Sequence, residues 1–309
     1  MKNLAPYSAG YSDVDVSIVD YDKNIARHAW NCYRMTWREL QDVEYDVNDK
    51  RVREAIRNII AFKALPMPRE QALMTFRIEN VSRVCLAQIT RQRKAAFNVE
   101  SQMPQPVGHN VIIPLNIWQD ENLRKEAIEL CEASQNFYNK LVDMGIPYQD
   151  ARYMLIHGQT TSFVYVVDIN TFCGSFGMRC ENNLSDEINL VYRLCLHRML
   201  EQLEEDYESG DIDELTYLFY KDILAGCDCQ GAKQRKGMNT DKVFGNSFMR
   251  FNDANEEVTA ATVNCTCDFK KSAWYAELMR MYDNEEFELL FPGEKEMIER
   301  WKAGIFNET

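Results

Sequence analysis

Residues 75–101 read TFRIENVSRVCLAQITRQRKAAFNVES, and the fold turns on them. Phe76, Ile78, Val81 and Val84 open the stretch with a strand-like alternation. Val84, Cys85, Leu86 and Ala87 form an apolar patch that continues as a core helix. A polar cluster closes it: Gln88, Arg91, Gln92, Arg93, Lys94, Asn98, Glu100 and Ser101. Guanidinium forks match phosphate oxygens with two hydrogen bonds at once, so one reading is a phosphate-rich ligand held at a helix end. The other is a solvated charge run at a helix C-terminus, where cations suit the dipole.

The surrounding composition narrows the choice. The chain has 309 residues, 46% of them hydrophobic, which supports one large or two ordinary domains. A net charge of −13 argues against a nucleic-acid polymer as partner, since that needs broad positive surface. A local cationic cluster in such a chain suits a small anionic ligand better. There is no apolar run long enough to span a bilayer, and residues 1–17 lack the apolar core of a signal peptide, so a cytoplasmic protein is expected.

Working outward, residues 14–20 alternate as a strand, and Asp22 is placed to cap a helix reaching about residue 40. A second helix covers 49–62, with Pro66 and Pro68 after it. Residues 110–117 read as a short strand. Residues 120–144 read as a helix with Ile128, Cys131, Phe137, Leu141 and Met144 inward, stopped by Gly145 and followed by Pro147. Residues 160–167 are β-branched and aromatic, hence a strand; 185–206 form the longest amphipathic helix. The expected architecture is α/β (α+β): a mostly antiparallel or mixed sheet flanked by long helices, in a domain of residues 1–212. Residues 213–309 are expected to be a C-terminal extension.

At Arg91-Gln92-Arg93, followed by seven residues and Ser101, the chain resembles the flavin-dependent thymidylate synthases, whose signature is Arg-His-Arg, seven residues, Ser. The resemblance spans roughly residues 14–205. Gln88 stands where the family keeps a substrate-binding Gln. Glu70-Gln71-Ala72-Leu73-Met74-Thr75-Phe76 looks like Glu-His-x-x-Phe-Thr-Phe. Gly145-Ile146-Pro147, with Ala151-Arg152 after it, and Arg179 ahead of Glu187-Ile188 look like two further family segments. Several ordered anchors are more specific than one motif. The resemblance implies FAD, methylenetetrahydrofolate and NADPH, a homotetramer with sites between subunits, and one-carbon transfer to C5 of a pyrimidine deoxynucleotide. It places Thr75, Arg91, Gln92, Arg93, Asn98 and Glu187 at the flavin. It places Gln88, Ser101, Gln102, Asn170, Arg179, His197 and Arg198 at the substrate, with Ser101 and His197 as catalytic candidates.

The departures fall on the ligand positions. Gln92 replaces the central His and Gln71 another. Val99 stands for a Glu, with Glu100 one place later. The family's Gly-Arg-Tyr after the Ser is Gln102-Met103-Pro104, so a phosphate-gripping Arg is Met103. By ungapped spacing two more family arginines fall at Asn170 and His197; a protonated His197 could mimic the second, or be a polar residue on the outer helix face. Three outcomes stay open: a changed nucleotide or one-carbon product, ordinary thymidylate synthesis with compensating residues, or a non-catalytic flavin- or nucleotide-binding homologue.

Ten cysteines remain to be placed. Cys32, Cys85, Cys131 and Cys195 lie on apolar stripes and read as core. Cys227, Cys229, Cys265 and Cys267 form two Cys-x-Cys pairs, which could hold a structural zinc or be ordinary thiols.

Overall fold

The computed structural model describes residues 7–9, 13–62, 66–103, 110–179 and 186–234. In chain order the elements are β1 (Tyr7–Ala9), β2 (Asp15–Tyr21), α1 (Ile25–Thr36), α2 (Lys50–Phe62), α3 (Pro66–Gln71), β3 (Leu73–Ser82), α4 (Arg83–Ile89), β4 (Ala95–Val99), β5 (Val111–Ile113), α5 (Leu115–Trp118), α6 (Glu121–Asp143), α7 (Tyr148–Ala151), β6 (Thr160–Asp168), α8 (Ile169–Arg179), α9 (Asp186–Ser209) and α10 (Glu214–Gln234). Single 3-10 turns occupy Arg38–Leu40 and Arg152–Met154.

The centre is a four-stranded antiparallel sheet in the order β2-β3-β6-β4. Because side chains alternate along strands, pairing places whole rows on one face. The inward rows are Val16–Ile78–Phe163–Val99, Ile18–Phe76–Tyr165–Phe97 and Tyr21–Met74–Val167–Ala95. Phe172, Phe76, Tyr165 and Phe97 stack in that order beneath it. Helices α1, α2, α8, α9 and α10 close the same core. The opposite face carries Thr75, Arg77, Val164, Val166, Ala96 and Asn98 and is exposed or half-buried. Away from this sheet, β1 and β5 pair in parallel.

A bulge interrupts β3: Ile78 pairs with Phe163 but Val81 with Thr161, so one extra residue is inserted. Asn80 absorbs it with φ 58°, a left-handed conformation that Asn tolerates better than most residues. Its amide nitrogen side chain donates to the Asp13 carbonyl at 3.0 Å. After the bulge Val81 is buried, and Ser82 turns in to cap α4 by accepting from the Cys85 N–H at 3.0 Å.

Several expectations need correction. The basic cluster does not end a helix: α4 stops at Ile89, and Arg91–Arg93 make the turn into β4, an edge strand the periodicity left unassigned. The helix after Asp22 ends at Thr36. On α6 the inward residues are Cys131, Gln135 and Tyr138, whereas Phe137 and Met144 are exposed. Cys32 is only half-buried, while Cys85, Cys131 and Cys195 are core. Residues 213–309 do not begin as an appendage: Leu215, Leu218, Phe219, Tyr220, Ile223 and Leu224 of α10 belong to the same hydrophobic core as the sheet. The boundary at 212 falls in the turn between α9 and α10. Gly145 does end α6, with φ 83° and its N–H donating to the Val142 carbonyl.

Candidate active site

The edge strand β4 carries a site at each end. Five residues of strand span roughly 17 Å. At its beginning stands the Arg91–Arg93 turn; just beyond its end stands Ser101.

The turn is held by Gln92. Its side chain is buried, 9% exposed, beneath α8 and α9. Its Nε2 donates to the Ser175 hydroxyl at 2.9 Å and to the Thr171 carbonyl at 3.2 Å. Its Oε1 accepts from the Tyr192 hydroxyl at 3.0 Å and from the Tyr165 hydroxyl. All four hydrogen-bonding positions of the amide are thus taken by protein. Gln92 was expected at the flavin; its side chain instead faces the interior, because only an amide can serve two hydroxyl donors and two acceptors there. Burial pushes the Tyr165 and Tyr192 hydroxyls above the ordinary phenol range, so both remain donors. With Gln92 fixed inward, Arg91 and Arg93 are both exposed, and neither side chain makes a hydrogen bond or ion pair with a described residue. Two unpaired arginines flanking a bolt, in so acidic a chain, suit an anionic ligand. Asn170, in the first turn of α8, lies at this end of the sheet and is half-buried. Thr75 and Asn98 lie on the outer sheet face, on neighbouring rows. Gln88 is half-buried at the end of α4.

At the other end, Ser101 is exposed and its hydroxyl accepts from the Met103 N–H at 3.2 Å; Gln102 is half-buried. One cation, Arg83, reaches the residue before it. Arg83 reaches the Glu100 carbonyl at 3.4 Å, and its Nε is buried with no partner among the described residues. Burial holds the Arg83 pKa below its ordinary value, with Arg152 nearby adding to the effect and the Glu100 carboxylate opposing it. Arg83 was missed from sequence. Its only local signal is its place directly after the cap residue Ser82. Arg179, closing α8, likewise has a buried Nε without a partner among the described residues. Its charge is felt by Cys85 and Tyr192, which lowers both against the larger effect of burial.

Glu187, expected at the flavin, accepts from both the N–H and the hydroxyl of Ser82 at 2.5 Å. It ties the start of α9 to the start of α4. Burial raises its pKa, and the two Ser82 donors offset part of that rise. A cavity of about 330 Å³ opens above this pair, walled by Val84, Ile112, Ile117, Leu130 and Ile156. Its lining is apolar apart from Ser82 and Glu187, so it does not suit a phosphate.

His197 and Arg198 are not brought to either end. They lie on α9 against the far edge strand β2, where Arg198 donates to the Val16 carbonyl at 3.1 Å and pairs with Glu201 and Asp15. Three strand spacings, about 14 Å, separate β2 from β4. His197 pairs with Glu201 at 2.9 Å, and burial lowers its pKa below the usual imidazole value. That direction runs against the cationic role expected of His197. Cys227 and Cys229 fall in the helical backbone of α10, while Cys265 and Cys267 lie outside the described residues. Among the described residues no cluster of three or more His, Cys, Asp or Glu could hold a metal, and no helix is long and apolar enough to cross a membrane.

An antiparallel sheet with a helical layer on one face and an arginine turn at its edge strand defines the class: an α/β protein whose sheet is open on one side. A family model described as thymidylate synthase complementing protein matches residues 16–205, more than half the chain, and the chain belongs to that family. Among curated relatives, the flavin-dependent thymidylate synthase of Pyrococcus horikoshii is 33% identical over 162 residues, covering 51% of this chain and 65% of that protein. The flavin-dependent thymidylate synthase of Thermococcus kodakarensis is 28% identical over 202 residues, covering 63% and 80%. Among solved structures, the UMP/dUMP methylase PolB of Streptomyces cacaoi, bound with 5-Br dUMP, superposes with a TM-score of 0.52 at 18% identity, over 68% of this chain and 95% of that one. That likeness is one of fold.

Proposed function

We propose that this chain is a flavin-dependent enzyme that transfers a one-carbon unit to C5 of a pyrimidine nucleotide. The observation that carries the reading is the pair Arg91 and Arg93, held outward by the buried Gln92, with side chains that have no partner among the described residues. Family membership and relatives named as flavin-dependent thymidylate synthases support it. The residues fit FAD: Arg91 and Arg93 take its phosphates, while Thr75 and Asn98 offer a hydroxyl and an amide on the open sheet face. Bound FAD supplies hydride and electron transfer, which no side chain here can; methylenetetrahydrofolate and NADPH serve as co-substrates. The protein's own part is to bind, orient and exclude water.

Arg83, next to Ser101 through the Glu100 carbonyl, takes the nucleotide phosphate, with the Arg152 charge that acts on Arg83 assisting. They compensate for Met103, which stands where the resemblance implies an arginine. Ser101 and Gln88 hold the nucleotide. The substrate is a pyrimidine nucleoside monophosphate; a relative in fold is titled a UMP/dUMP methylase, which makes both sugars worth testing. Because His197 and Arg198 lie at the far edge of the sheet, a site that uses them with Ser101 draws on more than one subunit. That agrees with a homotetramer.

The test has two arms. Purified protein should be yellow, or become so with added FAD, and lose that with Arg91→Ala. Incubation of UMP, dUMP or dCMP with methylenetetrahydrofolate and NADPH should raise the mass of the base. A second reading, a flavin- or nucleotide-binding homologue without turnover, is favoured by Met103 and Val99 at positions implied to be Arg and Glu. It is the outcome if FAD binds and no base gains mass.

A further inference from the structure

Three exposed apolar side chains from three elements meet around one hollow. Val84 of α4, Ile117 of α5 and Leu130 of α6 are 38%, 37% and 65% exposed, and all three line the cavity of about 330 Å³ above Ser82 and Glu187. Ile112 of β5 and Ile156 complete its wall. Apolar groups gathered around a concave site, rather than scattered singly, mark a place for an apolar ligand. The polar end is of another kind. Ser82 and Glu187 are each 3% exposed. Glu187 accepts from the Ser82 N–H and hydroxyl, and no cation pairs with it among the described residues. A carboxylate taken out of water normally keeps a cation beside it, since neutral donors replace only part of its lost hydration. Each carboxylate oxygen can accept one more hydrogen bond. The Ser82 hydroxyl is already committed, donating to Glu187 and accepting from the Cys85 N–H. What the buried end lacks is therefore a further donor, and a positively charged one above all.

We infer that this cavity binds a small primary amine with a hydrocarbon body, its ammonium group donating to Glu187 and its hydrocarbon lying against Val84, Ile117 and Leu130. Size sets the upper limit. Liquid water takes about 30 Å³ per molecule, so the cavity holds roughly ten non-hydrogen atoms. Charge and polarity exclude the other classes. A carboxylate or phosphate would bring a second negative charge against Glu187. A sugar would strand its hydroxyls on valine, isoleucine and leucine side chains, where nothing answers them. An alcohol fits the space and can donate, but without charge, and so is the weaker ligand. This inference holds whether or not the chain proves to be a flavoenzyme.

Calorimetric titration of the full-length protein with hexylammonium, hexanol and hexanoate tests it, since the three share one hydrocarbon tail and differ in the head. Hexylammonium should bind about tenfold more tightly than hexanol, the difference between a charged and a neutral hydrogen bond. Hexanoate should not bind. Leu130→Trp, at an exposed position and so compatible with folding, should fill the mouth and abolish binding of both the amine and the alcohol. Glu187→Gln keeps the shape and removes the charge. It should bring the amine down to the level of the alcohol and leave the alcohol unchanged, whereas a purely structural Glu187 would move both together or neither. Should Glu187→Gln not fold, the three ligands on wild type and on Leu130→Trp decide by themselves. Absence of saturable hexylammonium binding, equal affinity for hexylammonium and hexanol, or unaltered binding in Leu130→Trp overturns the proposal.

Discussion

Gln92 shows how one side chain can decide what its neighbours do. Its four partners come from Tyr165, Thr171, Ser175 and Tyr192, all 73 to 100 residues away. That separation is why the sequence shows an Arg-Gln-Arg cluster but not which member faces inward. A glutamate in its place can still accept from both tyrosines but, ionised, cannot donate to the Thr171 carbonyl or Ser175 hydroxyl. Burial raises such a carboxyl, so the Gln92→Glu protein keeps its stability below the unfolded glutamate pKa, about 4.3. It loses that stability as pH rises through the raised folded value. The expected deficit against wild type is about 1–3 kcal/mol at pH 8, shrinking at pH 5, read from denaturant unfolding. An equal deficit at both pH values would show that the site does not discriminate the ionised form. At the other end of β4, Arg83→Ala should weaken binding of a pyrimidine nucleoside monophosphate by about ten- to a hundredfold, at roughly 1.5–3 kcal/mol for a charged hydrogen bond. Binding of the free nucleoside should hardly change. Met103→Arg should tighten the monophosphate instead. Calorimetric titration measures all three.

Among the elements, β3, α2, α6 and α9 were legible because each is long and strongly periodic. The edge strand β4 was not, being five residues long and preceded by four consecutive polar groups that mask its alternation. Its partner β6 supplies the ladder that makes it a strand. Helix α4 is only seven residues, too short to stand on propensity, and its start is set by Ser82 and Glu187. Glu187→Ala removes both acceptors of Ser82 at once and should cost about 2–4 kcal/mol by denaturant unfolding. If α4 holds the arginine turn in place, FAD affinity falls with it. Unchanged affinity in a folded Glu187→Ala protein would separate the two.

For the whole molecule, the informative error concerns residue 213. Acidity rises after residue 206 and the apolar pattern blurs, which reads as the edge of a domain. The pattern blurs because α10 is apolar on most sides, packing against α1, α2, α8 and α9 together. A chain cut after residue 212 should therefore not fold. Phe219 and Tyr220 are completely buried, and losing one buried aromatic side chain already costs about 3–5 kcal/mol. The expected outcome is an aggregated or expanded product, checked by near-ultraviolet circular dichroism; a native spectrum would restore the boundary. Acid should loosen the same layer. Burial raises the Asp206 carboxyl, but bonds from Tyr21, Lys23 and Gln202 together hold it below the usual range. Its contribution is present above about pH 4 and lost as pH falls through the lowered value. Asp206→Asn should flatten that acid limb of stability.

The bulge at Asn80 acts as a phase shifter in the chain's reading of in and out. Upstream of it even-numbered residues of β3 face the core; downstream Val81 does. Deleting Asn80 would take out the one extra residue and leave Val81 and Ser82 opposite Thr161 and Thr160 in a regular ladder. Adding a residue between Val81 and Ser82 would instead reverse the parity at the helix cap, swing Ser82 away from Glu187 and pass the error to the arginine turn. That insertion should therefore abolish ligand binding, whereas Asn80→Gly, which keeps the count and the left-handed backbone, should be nearly silent.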